Sequence, residues 1–369
     1  MKIIHVAPPF LELNKDMIYG GIERVINDLR AKQQERGLQT KVLAPRNSNV
    51  QGIIETGNAV GTDEIFAQNI NQNDARASTY SKLEHIYKII EYAKINPKTI
   101  FHIHDDYLLP FMPLMNHALL TIHCDYEEFW SAENHREIAK TSRNLIAISK
   151  SQKSIFNSHG FKIDKVVYNG IDTSAFRFND YHNNYMFSLS VIAPHKGQHI
   201  AIEVAKKLKK ELVIAGNIGD QDYFDSFRNE INFDLSEEKD KYGALMKLPK
   251  GFKIVYTGSV NDSQKKPLFE HAEVFLMPYM INEPFGLVVV EALASGTPVV
   301  ALNKGAAQEL IKEGSTGFVR SNSYEMAVAI KDIKRIERKE CRRDCEERFS
   351  LDKMAQDYME IYKEIEKEK

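Results

Sequence analysis

With 369 residues, the chain is too long for one hydrophobic core and predicts about two to three domains. At 43% hydrophobic and 27% charged, it has the composition of a soluble globular protein. Its 49 basic and 51 acidic residues leave a net charge of −2, which excludes a chain-wide footprint for nucleic acid or an anionic membrane.

In chain order, Lys2–Ala7 reads as a strand, and Gly20-Gly21 precede a helical spacing over residues 22–29. Thr40–Ala44 reads as the next strand and Ser81–Ala93 as an amphipathic helix stopped by Pro97. Thr99–His104 and Ala118–His123 are strands that each end in a histidine. Asn144–Ser149 and Lys165–Tyr168 complete a first alternating set. After the turn at Asn169-Gly170-Ile171-Asp172, Thr173–Tyr185 is polar and aperiodic, so a domain boundary is expected there. A second set follows: Met186–Val191, the helix His199–Leu208, Glu211–Ala215, Phe252–Tyr256, Val274–Met277 and Pro298–Leu302. Ser350–Lys369 closes the chain with apolar residues at helical spacing, an amphipathic helix in need of a surface. Alternating strands and helices predict two parallel sheets covered on both faces, with ligands at the carboxyl ends of the strands.

The opening run Met1–Val6 is too short for a signal peptide, and no stretch of about 18 apolar residues is present. Three cysteines, Cys124, Cys341 and Cys345, lack metal-site spacing and fit a reducing compartment. A cytoplasmic protein is expected.

The strongest local signal is Glu283-Pro284-Phe285-Gly286-Leu287, followed by an apolar helix to Ala294 that is broken only by Glu291 and stopped by Gly296. A carboxylate inside such a helix needs a partner. A helix start at Phe285–Leu287 offers N–H groups and the positive dipole end, which suit a diphosphate. Glu291 can accept from ribose hydroxyls and Glu283 from sugar hydroxyls. Lys196, in Pro194-His195-Lys196-Gly197, follows a strand and precedes a helix.

These residues resemble the retaining glycosyltransferases of family 4, with the GT-B fold, whose hallmark is two glutamates separated by seven residues. The likeness extends to Ala272–Pro278, Thr257-Gly258, Gly305, Glu309-Leu310-Ile311, Thr316-Gly317-Phe318, Asn169–Asp172, Ile148-Ser149 and Lys196-Gly197. It implies an α/β fold of two Rossmann-like domains facing across a cleft. An acceptor-binding domain would span 1–178 and a nucleotide-sugar domain 179–349, with a helix over 350–369 crossing back to the first. It implies that Glu283 contacts donor-sugar hydroxyls, Glu291 the ribose, Lys196 the diphosphate, and the N–H groups of Phe285, Gly286 and Leu287 sugar or phosphate oxygens. Gly20 and Gly21 would lie by the donor phosphate, His123 by the reacting sugar and His104 at the acceptor cleft. Acceptor contacts are expected around the Gly20 loop and between Gly52 and Tyr80. The pattern departs at Ser190-Val191-Ile192, where the family usually carries an arginine.

The implied activity is transfer of a hexosyl unit, with retention, from a UDP- or GDP-sugar to a glycan or lipid-linked acceptor in bacterial surface polysaccharide synthesis. No metal and no nucleic acid are implied; peripheral membrane contact is. Three other readings stay open: a sugar phosphorylase, a nucleotide-sugar epimerase and a non-catalytic nucleotide-sugar-binding subunit. His102, His104, Asp105 and Asp106 offer only two or three converging metal ligands. Cys124 beside His123 lacks an orienting third group for a nucleophile. Gly20-Gly21 read alone is a turn, and His123 read alone is a satisfied structural histidine.

Overall fold

The computed structural model describes residues 1–14, 20–58, 72–129, 137–138, 140 and 142–367. The chain divides into two compact units, Met1–Gly170 with Leu351–Lys369, and Ile171–Ser350.

The first unit holds β1 (Lys2–Val6), β2 (Gln39–Ala44), β3 (Ile53–Glu55), β4 (Ile100–Ile103), β5 (Ala118–Ile122), β6 (Leu145–Ala147) and β7 (Lys165–Val166). They form one parallel sheet in the order β3-β2-β1-β4-β5-β6-β7. Ile3, Ile4 and Val6 are buried on both faces of β1, as expected of a parallel strand covered by helices on either side. One helix, α1 (Gly21–Glu35), follows β1, and the longer α2 (Gln72–Ile95) precedes β4.

The second unit repeats the plan with β8 (Tyr185–Leu189), β9 (Glu211–Ala215), β10 (Phe233–Asp234), β11 (Ile254–Tyr256), β12 (Val274–Met277), β13 (Val299–Leu302) and β14 (Gly317–Arg320). Its parallel sheet runs β10-β11-β9-β8-β12-β13-β14. Relevant helices are α3 (Gln198–Leu208), α4 (Asp262–His271), α5 (Leu287–Ala294) and α6 (Arg338–Arg348). Each sheet reverses its strand order once, between β1 and β4 and between β8 and β12. Those switch points are where open α/β sheets bind ligands.

The closing helix α7 (Leu351–Lys367) belongs to the first unit and packs on α1 and β4. Leu351, Met354, Tyr358, Ile361, Tyr362 and Ile365 are its buried stripe, at the spacing that the sequence predicts. Arg36 and Asp352 pair at its first turn, 2.9 Å apart.

The boundary between units differs from expectation. It falls at Gly170–Ile171, not at 178–179. The Ile171 amide donates to the Phe349 carbonyl (2.9 Å), and Arg342 Nη1 on α6 donates to the carbonyls of Phe176 and Ala294 (2.7 and 2.6 Å). These bonds tie residues 171–178 to the second unit despite their polar, aperiodic sequence.

Candidate active site

In the second unit, the loops after β8 and β12 flank the switch point and carry Lys196 and Glu283. Lys196 Nζ donates to Glu283 Oε2 at 2.6 Å, with side chains 15% and 21% exposed. The ammonium also lies 4.4 Å from the centre of the Tyr279 ring, a cation–π contact. Tyr279 is itself anchored by donating to the Leu189 carbonyl (3.0 Å). Burial, reinforced by the neighbouring Glu283 charge, raises its pKa and keeps the phenol neutral.

Backbone packing fixes this pair. The Met280 amide donates to the His195 carbonyl (2.8 Å), joining the two loops. Gly197 has φ 70°, and a Cβ there would collide with the Pro278 carbonyl. Gly305, after β13, lies against the backbone of Glu283, where a Cβ would strike both its nitrogen and its carbonyl. The Ala306 amide donates to the Glu283 carbonyl (3.0 Å). Glu283 is therefore held at its backbone while its carboxylate stays partly exposed.

Three residues later, Gly286 takes the left-handed conformation (φ 99°) and caps α5. Only a residue without Cβ enters this turn cheaply. Phe285 is buried, 2% exposed, and Leu287 begins the helix, with the Val289 amide of its first turn donating to the Gly286 carbonyl (2.9 Å).

Glu291 lies one turn into α5 and is 7% exposed. Its partner is Lys265, whose Nζ donates to Glu291 Oε1 at 2.5 Å and pairs with Asp262 at 3.1 Å. A capping box places Lys265 there: Asn261 Oδ1 accepts from the Gln264 amide, and Gln264 Oε1 accepts from the Asn261 amide (3.0 Å each). Val191, where a cation was expected, instead packs toward Gly219.

In the first unit, Gly20 (φ 119°) caps α1, and Gly21 is the helix's first residue. Residues 15–19 of that loop lie outside the described residues, as do residues 59–71 of the expected acceptor region. His104 and His123 follow β4 and β5 and meet directly, His104 Nδ1 to His123 Nε2 at 2.9 Å. His104 Nε2 reaches His5 Nδ1 (3.1 Å), and His5 Nε2 reaches Gln33 Oε1 (2.8 Å). Burial pushes His5 and His123 down to about 3, and burial with neighbouring imidazoles holds His104 and His102 well below the usual histidine range. All four rings are neutral at pH 7. Burial also raises Asp105, aided by Asp106, and lifts Asp106 to about 6.

His5, His102 and His104 bring three ring nitrogens within 4.8 Å, a grouping that can hold a metal ion. Every nitrogen of the three rings already has a protein partner: Gln33, His5, His104, His123, Tyr362 or Thr121. Asp105 and Asp106 are not part of this grouping; Asp105 accepts from the Tyr107 amide (3.2 Å).

Sequence reading missed Lys265, Tyr279, His5 and Gln33. His5 had a signal, as a polar residue inside an apolar strand. Lys265 had only its place one turn into a capped helix.

The family model "Glycosyl transferases group 1" matches residues 174–353, and "Glycosyltransferase Family 4" matches residues 19–175. The chain belongs to the family 4-like glycosyltransferases. Among curated relatives of this family, an uncharacterized glycosyltransferase of Methanocaldococcus jannaschii is 28% identical over 253 residues, 60% of each chain. The O-antigen chain mannosyltransferase RfbU of Salmonella typhimurium is 24% identical over 238 residues, 61% of this chain and 63% of that one. The chain thus spans less than two thirds of the length of either relative. Among solved structures, Anabaena HepE in complex with UDP and glucose shares the GT-B fold, with a TM-score of 0.71 at 19% identity, covering 99% of this chain and 100% of that one. No helix among the described residues is long and apolar enough to cross a membrane.

Proposed function

We propose that the chain is a retaining hexosyltransferase that takes a hexosyl unit from a UDP- or GDP-sugar and passes it to a glycan or lipid-linked acceptor. The observation that carries this reading is the pairing of Lys196 with Glu283 beside the start of α5. A cation, an anion and a helix start at one switch point match the needs of a nucleotide sugar: charge for the diphosphate and an acceptor for sugar hydroxyls. Lys196 and the N–H groups of Phe285, Gly286 and Leu287 take the diphosphate, and Glu283 takes the sugar hydroxyls. Glu291, its carboxylate held by Lys265, takes the ribose. In the first unit, Gly20 and Gly21 approach the donor phosphate, His123 contacts the donor sugar, and His104 stands toward the acceptor. The bond to the anomeric carbon breaks on the face where the acceptor enters, and the leaving diphosphate helps remove the acceptor proton. Protein catalysis is then positioning plus stabilisation of developing phosphate charge. Lys196 and the helix start supply that stabilisation, so no step calls on a metal ion.

The relatives support the substrate class: one is named for mannosyl transfer to O-antigen, and a structural neighbour holds UDP and glucose. A role in surface polysaccharide synthesis, at the cytoplasmic face of the membrane, fits that company. The test is a thermal-shift screen with UDP, GDP and ADP, then their sugars, followed by nucleotide release from the best donor with and without EDTA. Stabilisation by one nucleotide and EDTA-insensitive release support the reading. No binding to any nucleotide or nucleotide sugar sinks it. Release of sugar 1-phosphate, or conversion of the donor without an acceptor, shows a phosphorylase or an epimerase instead.

A further inference from the structure

Around the His104–His123 pair runs a continuous hydrogen-bond chain inside the first unit. Gln33 stands at its middle. Gln33 Oε1 faces His5 Nε2 (2.8 Å), and Gln33 Nε2 donates to the Tyr362 hydroxyl on α7 (3.0 Å). The Tyr362 hydroxyl also meets His102 Nδ1 (2.7 Å), whose Nε2 meets Thr121 Oγ1 (2.8 Å). Thr121 in turn meets the Tyr358 hydroxyl (2.9 Å). His104 stacks on His5 and on His123, with centroids 5.4 and 5.2 Å apart, and His102 packs against His104 at a tilt, 4.1 Å between centroids.

We propose that Gln33, held by Tyr362, is a positioning residue that sets the tautomer of His123 through His5 and His104. The logic is one proton per ring. A neutral imidazole has one N–H and one lone pair, so fixing either nitrogen fixes the other. The Gln33 carbonyl only accepts, so His5 carries its proton on Nε2. His5 Nδ1 then accepts from His104 Nε2–H. His104 Nδ1 accepts from His123 Nε2–H. His123 is left with its lone pair on Nδ1. Tyr362, accepting from Gln33, spends its single proton on His102, so Gln33 cannot reverse without reversing the other arm too. His5, His102 and His104 are buried and His123 is half-buried; desolvation keeps the four rings neutral, which preserves this single direction. Resting on the transferase reading, in which His123 contacts the donor sugar, this makes His123 an acceptor for a sugar hydroxyl and not a donor to the leaving group.

The test is nitrogen-15 NMR of labelled histidines in the full chain, with Gln33→Met and Tyr362→Phe as variants that keep side-chain volume. The wild-type chain is expected to show His123 with its proton on Nε2 alone. Each variant is expected to show both tautomers, with kcat lowered about 10-fold or more while nucleotide affinity stays constant. A proton on Nδ1 of His123 in the wild-type chain overturns the proposal. So does a single unchanged tautomer in both folded variants, which would mark Gln33 and Tyr362 as packing residues only. The tautomer measurement needs no substrate. A wild-type chain inactive with every nucleotide sugar therefore refutes the transferase reading and leaves this result standing by itself.

Discussion

Replacing Glu283 with glutamine should move binding and turnover in opposite directions. The Glu283 carboxylate accepts from the Lys196 ammonium at 2.6 Å. In the proposed reaction, a diphosphate displaces it before Lys196 serves the leaving group. Glutamine keeps the size and one acceptor but removes the charge. A hydrogen bond between charged groups contributes about 1.5–3 kcal/mol. With side-chain exposures of 15% and 21%, solvent screening lowers this to about 1–2 kcal/mol. Glu283→Gln should therefore bind a nucleoside diphosphate about 5- to 30-fold more tightly. Nucleotide release from the sugar donor should fall about 100-fold or more, because in the proposed reaction the same carboxylate accepts from the sugar. Calorimetric titration with the preferred diphosphate and a release assay with its sugar give the two numbers. Weaker diphosphate binding in step with a slower rate would refute the competition between carboxylate and phosphate. An unchanged rate would remove Glu283 from the sugar site.

Lys265→Met leaves the Glu291 carboxylate buried without its cation, a loss of about 3–5 kcal/mol that urea unfolding can measure; Lys265→Met with Glu291→Leu should recover stability but not nucleotide affinity. Gly305→Ala puts a Cβ into the Glu283 backbone at φ 52°, and is expected to slow nucleotide release more than tenfold while circular dichroism stays unchanged. Acid should weaken the first unit. His5 and His123 are lowered to about 3 and His85 to about 4, so between those values and about 6.5 the unfolded chain takes up protons that the folded chain does not. Stability from these groups is complete above about pH 6.5 and is lost as pH falls, by about 1.4 kcal/mol per pH unit for each histidine. Asp106, raised to about 6, and Asp105, raised by burial and by Asp106, work the other way as pH falls, but the lowered histidines outnumber them. A melting temperature that does not drop between pH 7 and pH 5 contradicts the buried neutral histidines.

The sheets were legible because parallel strands are continuous apolar runs: Glu211–Ala215 and Val274–Met277 match prediction residue for residue. Short edge strands such as Ile53–Glu55 and Phe233–Asp234 were not, since two or three half-exposed residues carry no periodicity. Glu283 and Lys196 were readable from their motifs, but their contact joins residues 87 positions apart and depends on two neighbouring strands ending together. The role of Lys265 was hidden for the same reason, 26 positions from Glu291 on another helix. The boundary at Gly170 was misread because residues 171–178 are held by backbone carbonyls, which any sequence can supply.

Gln33 and Tyr362 share a hydrogen bond although 329 positions separate them, and the whole second unit lies between. In an unfolded chain, closing so long a loop carries an entropy cost that rises with the logarithm of its length. Yet the second unit begins and ends at one place: Ile171 and Ser350 form a parallel bridge, and the Ile171 amide donates to the Phe349 carbonyl. Once that unit has folded, residues 171 and 350 lie side by side, so the long insertion acts like a short linker between the two parts of the first unit. The interior unit is thus a folded clasp: once formed, it shortens the loop that must close for Tyr362 to reach Gln33.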